Sequence, residues 1–348
     1  MSQKTAVVLL NLGGPDSLEA VKPFLFNLFN DPAIIDLAGP LRWLLAKVIS
    51  TRRAPVAREI YEQIGGSSPL LENTKSQARA LEEQLNGAGE DDEFRCFIAM
   101  RYWHPMAAET VDAVNAYAPD RVVLLPLYPQ FSSTTSGSSF GDWERAAQKG
   151  GLTAETRKVC CYPRNAGFVR SVAGLVKKAI DQAGSNGTAP RVLFSAHGLP
   201  KKIVDAGDPY QWQVEQSVKS IVAEIDDDGL DWLVCFQSRV GSLEWLRPYT
   251  DDALKQAGTD KVPVVIVPVA FTSEHSETLV ELDIEYRELA EECGVPDYVR
   301  VDTVRADAVF IDELSGLVRN AVGGSGCLTS GEGGRICPDN LGYCPFSK

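Results

Sequence analysis

Three histidines occur in the whole chain, His104, His197 and His275, and each follows a run that reads as a strand, within a polar or proline-containing turn. For His104, inside Arg101-Tyr-Trp-His-Pro105, a structural role is the better expectation. His197 is different, because Ser195-Ala-His-Gly-Leu-Pro200 ends an apolar run. Open parallel sheets bind ligands beyond the carboxyl ends of their strands, and an imidazole titrates near neutral pH. His197 is therefore a candidate base or metal ligand. The second group of interest is the acidic segment that follows His275. On a helix, Glu277, Glu281, Glu285 and Glu288 lie along one face, with Leu279, Leu282, Tyr286 and Leu289 opposite. This could be an ordinary solvated face. Against that reading, like charges one turn apart destabilise a helix unless cations sit beside them. A row of carboxylates leading to a histidine would conduct a hard divalent cation or carry protons.

Other chemistries lack their residues. Gly13-Gly-Pro15 has neither the spacing nor the lysine of a phosphate loop, and its proline removes a backbone donor where an anion needs one. No Gly-x-Ser-x-Gly nucleophile elbow is present. The net charge of -13 repels nucleic acid phosphates, and no basic stripe reverses it. Dehydrogenase, kinase, esterase and nucleic-acid-binding readings are weakened accordingly.

The elements that must position these residues are short apolar runs at 6–12, 96–100, 122–128, 192–196, 232–236 and 262–270. Such runs suit strands buried on both faces of a parallel sheet. Helical patterns lie between them at 75–85, 168–183 and 210–225. The class is α/β. A weak repeat is also visible: the run at 122–128 with its Ser/Thr-rich sequel echoes 264–270, and 9–15 echoes 193–200. Two similar, doubly wound, Rossmann-like halves are expected, at 1–165 and 166–322, with a loop at 183–190 and a short Cys-containing extension at 323–348. The length of 348 residues and 44% hydrophobic content provide for two cores.

No run of about 18 apolar residues suggests a membrane span, and residues 1–11 do not resemble a signal peptide. The expected location is the cytoplasm. Residues 33–49 alternate Ile34, Ile35, Leu37, Leu41, Trp43, Leu44, Leu45, Val48 and Ile49 with Asp36, Pro40, Arg42 and Lys47. A surface-lying or lid segment and a buried core helix are both compatible with this pattern, and the former allows peripheral contact with the inner face of the cell membrane. Eight cysteines in a reducing compartment point to thiols or metal ligands rather than disulfides. Cys96 and Cys235 sit in strand-like runs as packing residues. Cys327, Cys337 and Cys344 crowd a polar, glycine-rich end of the chain that cannot build a core alone.

Several motifs together resemble the ferrochelatase family: Asn11-Leu-Gly-Gly-Pro15, Arg52-Arg53, Ile64-Gly-Gly-Ser-Ser-Pro69, Arg101-Tyr-Trp-His-Pro105, Tyr128-Pro-Gln130 with Ser133-Thr-Thr135, Phe194-Ser-Ala-His197, Gly207-Asp-Pro-Tyr210, Gln237-Ser-Arg-Val-Gly241 with Trp245, and the segment from Phe271 to Tyr286. The resemblance implies a chelatase-type fold of two halves clamping a porphyrin, with Fe2+ and protoporphyrin IX as substrates. It implies that His197 and Glu277 face the macrocycle centre and that Glu281 continues the acidic path. Two pyrrole protons must leave as the metal enters, so bases are required at that place. Which of the two residues takes protons and which passes metal stays open. Arg53, Ser68 and Arg239 match positions that in the family hold propionates, with Arg239 standing where lysine is common. Leu12 stands where some relatives carry Met, and it would line the pocket with Tyr61, Tyr128 and Trp245; core packing is the alternative for the three aromatics. Some relatives carry a 2Fe-2S cluster on a comparable extension, held by four thiolates. Cys327, Cys337 and Cys344 supply three, and Cys161, or failing it Cys160, would supply the fourth, with a structural zinc site as the rival. A chelatase for coproporphyrin or sirohydrochlorin and a non-catalytic haem carrier are the alternatives in function. Relatives in some lineages imply a homodimer.

Overall fold

The computed structural model describes residues 2–87, 92–184, 187–241 and 243–347. Residues 185 and 186 of the expected 183–190 loop lie outside the described residues.

The first sheet contains β1 (Lys4–Asn11), β2 (Glu93–Met100), β3 (Arg121–Pro126), β4 (Glu155–Val159) and, late in the chain, β9 (Leu328–Thr329). The second contains β5 (Arg191–His197), β6 (Trp232–Gln237), β7 (Val264–Pro268) and β8 (Tyr298–Arg300). Every pairing is parallel. The apolar runs became the central strands because both of their faces are covered: Val7, Val8 and Leu9 of β1, and Val192, Leu193 and Phe194 of β5, are fully buried. Strands β4, β8 and β9 escaped the sequence reading for the opposite reason. Glu-Thr-Arg-Lys-Val in β4 is polar and mostly half-buried, and β8 and β9 are too short for a pattern to form.

The strand orders are β2-β1-β3-β4-β9 and β6-β5-β7-β8. Apart from β9, the second repeats the first with each strand replaced by its counterpart four places on. The echoing sequence segments are β1 with β5 and β3 with β7, so the repeat read from the residues coincides with equivalent strands. Each order reverses direction between its first strand and the strand that pairs on the other side, which makes the carboxyl ends of β1/β3 and of β5/β7 the binding edges.

Two compact units result, Met1–Cys161 with Leu314–Gly334, and Tyr162–Glu313 with Arg335–Lys348. The terminal stretch expected as one extension at 323–348 is thus divided. Its first part joins the first unit by pairing β9 with β4. Its second part joins the other unit, where the Tyr343 amide donates to the Gly207 carbonyl at 3.1 Å.

The segment at 33–49 leads into a helix, Gly39–Glu62, which carries its apolar residues outward: Leu41, Leu44 and Val56 are 61%, 56% and 60% exposed. The surface-lying alternative therefore describes it, and the core helix does not.

Candidate functional site

In the second unit, β5 ends at His197, and β7 ends at Pro268, from which the chain runs through Thr272 and Ser273 to His275 and Glu277. The two strands are neighbours, so their ends bring an imidazole and a carboxylate together at the switch point. Nδ1 of His197 lies 2.8 Å from Oε2 of Glu277. The surrounding protein disfavours an imidazolium, but the Glu277 charge and hydrogen bond outweigh that and hold the His197 pKa above its ordinary value. Burial likewise opposes ionisation of Glu277, and the His197 charge and hydrogen bond again prevail, holding its pKa well below the usual range. Each member thus favours the charged form of the other, and Nδ1 is the ring nitrogen engaged in the contact.

Glu277 opens a π-helical segment, Glu277–Glu285, that passes into the α-helix Tyr286–Cys293. Bonding from i to i+5 widens the turn, and such segments concentrate at functional sites. The wider turn changes which residues share a face. Glu281 turns inward, accepting from the Ser238 amide at 2.8 Å, from the Ser238 hydroxyl, and from Gln237 Nε2 at 3.0 Å. Glu285 and Glu288, expected on the same face from α-helical spacing, are exposed. The acidic row is therefore two carboxylates deep rather than four. Burial and the nearby Glu277 charge raise the Glu281 pKa, so Glu281 takes up a proton more readily than its neighbour. A cavity of about 200 Å³ opens beside it, lined among others by Gln237, Ser238, Asp251 and Tyr286.

The loop before the π segment is fixed by a buried ion pair. Glu274, 3% exposed, meets Arg300 Nη1 at 3.1 Å and accepts from the Thr303 amide and the Thr278 hydroxyl. Arg300 also reaches Asp283 at 3.3 Å, inside the π segment itself. One guanidinium therefore holds both the approach to Glu277 and the stretch beyond it.

Of the remaining expected residues in this unit, Trp245 donates from Nε1 to the Val240 carbonyl at 3.1 Å, and its ring packs on Gly198, where an added Cβ would lie 3.1 Å from the ring. That places the indole beside His197. Arg239 is exposed, bonds Asp251 at 2.9 Å and stacks over the Tyr249 ring at 4.1 Å. In the first unit, Leu12 and Tyr61 meet in an apolar cluster with Phe24, Leu25 and Tyr102. Arg53 is exposed, with its guanidinium over the Phe29 ring. Ser68 is half-buried; its amide donates to the Pro15 carbonyl at 2.8 Å. Burial pushes up the pKa of the Tyr128 phenol, with Ser139 and Arg101 opposing.

Four residues of the site stand in segments the sequence marks without assigning them a role. Gln237 and Ser238, in Gln237-Ser-Arg-Val-Gly241, are contacts to Glu281 at the end of β6. Tyr210 donates its hydroxyl to the His197 carbonyl at 3.0 Å. His275, 7% exposed, has Nδ1 without a hydrogen-bond partner, and burial lowers its pKa, keeping the ring neutral. Its rarity as a histidine beside Glu277 was the available signal.

None of the eight cysteines is joined in a disulfide. Cys160 and Cys161, both buried, have sulfurs 3.3 Å apart, Cys327 is exposed, and Cys337 and Cys344 are buried. Among the described residues no group of three or more His, Cys, Asp or Glu side chains is arranged to hold a metal ion. Burial raises the Cys235 thiol to about 12, in keeping with inert packing.

The ferrochelatase family model matches residues 4–322. Ferrochelatase of Pelagibacter ubique is 47% identical over 345 residues, covering 98% of each chain. Ferrochelatase of Caulobacter vibrioides is 50% identical over 345 residues, covering 99% of this chain and 98% of its own. Among solved structures, that of SirB from Bacillus subtilis with Fe3+ superposes with a TM-score of 0.50 at 12% identity, covering 92% of this chain and 96% of its own, a likeness of fold. With identity near one half sustained from end to end, and with the strand order and switch-point residues described above, the chain belongs to the ferrochelatase family.

Proposed function

We propose that the protein inserts Fe2+ into protoporphyrin IX to form protohaem, the terminal step of haem biosynthesis. The observation that carries this reading is the His197–Glu277 pair at a parallel-sheet switch point, backed by a second carboxylate with a raised pKa. Insertion needs a path for a dication and acceptors for two pyrrole protons. In this reading His197 and Glu277 meet the macrocycle centre, and Glu281, through its readiness to protonate, takes protons onward. Metal passes between the same carboxylates as substrate, with His197, Glu277 and Glu281 as transient ligands. Leu12, Tyr61, Tyr128 and Trp245 supply apolar surface to the ring, and Arg53, Ser68 and Arg239 hold its propionates; for Arg239 this requires release from Asp251. The test is insertion of Fe2+ by the purified protein, followed by haem absorbance, with protoporphyrin, coproporphyrin and sirohydrochlorin compared. Insertion into coproporphyrin alone would replace the substrate, and absence of insertion with retained porphyrin binding would favour a carrier.

We further propose a 2Fe-2S cluster on Cys161, Cys327, Cys337 and Cys344. Support comes from four cysteines outside any disulfide and from an end segment with little apolar content. The cluster would add ligand bonds that tie this segment down. The spectrum of the protein as isolated, and its loss in Cys337→Ser, test the assignment. Peripheral attachment to an anionic membrane surface is proposed for Gly39–Glu62, where Arg42, Lys47, Arg52, Arg53 and Arg58 accompany the outward apolar residues and no acid occurs before Glu59.

A further inference from the structure

Outside the reacting groups, one turn of helix in the second unit touches both the strand that carries His197 and the chain's final segment. The helix Tyr210–Ile225 begins just after Gly207-Asp-Pro, and the Asp208 carboxylate accepts from the Tyr210 amide at 2.9 Å, fixing its start. Tyr210 and Gln213 stand three residues apart, which on a helix puts them on neighbouring positions of one face. Tyr210 is 7% exposed, and its hydroxyl donates to the His197 carbonyl at 3.0 Å. Gln213 is fully buried, and its Nε2 donates to Cys337 Sγ at 3.2 Å. The outer segment also seats directly on the turn before the helix. Gly207 has φ of +103°, a conformation that favours glycine, and an added Cβ would come 2.8 Å from the Gly342 amide nitrogen. The Tyr343 amide closes the same contact by donating to the Gly207 carbonyl at 3.1 Å.

We infer that Tyr210 and Gln213 are positioning residues for His197, and that the terminal segment Arg335–Lys348 is the outer anchor that keeps their helix turn in place. The inference rests on the chelatase reading of His197. A hydrogen bond to a strand-end carbonyl sets the height of the last residue of β5, and that residue must meet Glu277 across a single 2.8 Å contact. A change in the seating of Cys337 or Tyr343 is thereby passed through one rigid turn to the imidazole. The inward side of the turn needs a hydroxyl, and the outward side needs an amide facing a thiol.

The test uses the full-length protein and Zn2+ or Fe2+ insertion into protoporphyrin. Tyr210→Phe and Gln213→Leu are each expected to lower kcat about tenfold, the order expected for a displaced reacting group, with KM for the porphyrin unchanged. The His197 ring signals in a histidine NMR spectrum should move in both, because the donor to the strand-end carbonyl is lost or displaced. The double variant should be no slower than the slower single one, since both act through the same turn. Gly207→Ala, which strains the turn and pushes it from the terminal segment, should reproduce the movement of those signals. Additive losses, or lower melting temperatures with those signals and the kcat of the folded fraction unchanged, would overturn the inference and leave only a packing role. Wild-type protein without insertion activity would instead defeat the chelatase reading, so the two failures are distinguishable.

Discussion

Nδ1 of His197 and Oε2 of Glu277 stand 2.8 Å apart, each residue at the end of a strand-derived segment and the two strands paired side by side. The contact joins residues 80 positions apart in sequence, brought near by the pairing of β5 with β7.

Removing either member should abolish most turnover. His197→Ala and Glu277→Gln are each expected to cut kcat by about 10²- to 10⁴-fold, the range for loss of a positioned acid or base. Porphyrin fluorescence quenching should still report binding. An unchanged insertion rate in both variants would remove the site from the mechanism.

The same pair has a pH signature in stability. His197 has its pKa raised in the fold, so its contribution is complete below the ordinary imidazole value and fades as pH rises through the raised one. Glu277 has its pKa lowered, so its contribution is complete above the ordinary carboxylate value and fades as pH falls through the depressed one. The difference in melting temperature between wild type and Glu277→Gln should therefore be greatest between the ordinary carboxylate and imidazole values, about 4.3 and 6.5. A difference independent of pH would show that the two side chains do not share charge.

Glu274 and Arg300 form the frame of the acidic segment. Breaking a buried pair leaves an uncompensated charge, so Arg300→Met should cost about 3–5 kcal/mol in denaturant unfolding. The paired change Glu274→Met with Arg300→Met should recover much of that stability without recovering activity, because Asp283 and Thr278 lose their partner as well. Recovery of turnover in the double variant would mean that the frame does not position Glu277.

Gly14 offers a test in the first unit. A Cβ there would fall 2.5 Å from the Ser68 side chain. Gly14→Ala should displace Ser68 and raise KM for porphyrin with little change in kcat, as expected for lost ground-state binding. Equal loss in kcat would assign Ser68 some other role.

At the membrane surface, cosedimentation with vesicles containing anionic lipid should fall with added salt and with Leu44→Asp. Each basic residue near such a surface is worth about 1 kcal/mol at most ionic conditions of interest. Equal binding to neutral vesicles would remove the electrostatic part of the proposal.

How much of this was legible in the residues depends on burial. The central strands declared themselves as apolar runs, and His197 and Glu277 followed from the ends of two of them. The polar strand β4 and the two shortest strands had no apolar signature to read. Glu285 and Glu288 fall off the inner face because the turns of this stretch are wider than α-helical spacing supposes. Tyr210 stands in the Gly207-Asp-Pro-Tyr210 motif, but its role is hidden because its partner is a backbone carbonyl, which leaves no trace in side-chain patterns. The terminal stretch looked like one appendage, yet a two-residue strand and a few amides distribute it between the units.

The widened segment has a practical meaning for redesign. Swapping Glu277 or Glu281 for another ligand type keeps the residue count of the stretch and would test which dication is handled. Deleting one residue from the same stretch would instead let the ordinary helical repeat take over and swing Glu281 off Ser238, converting a local edit into a misaimed site.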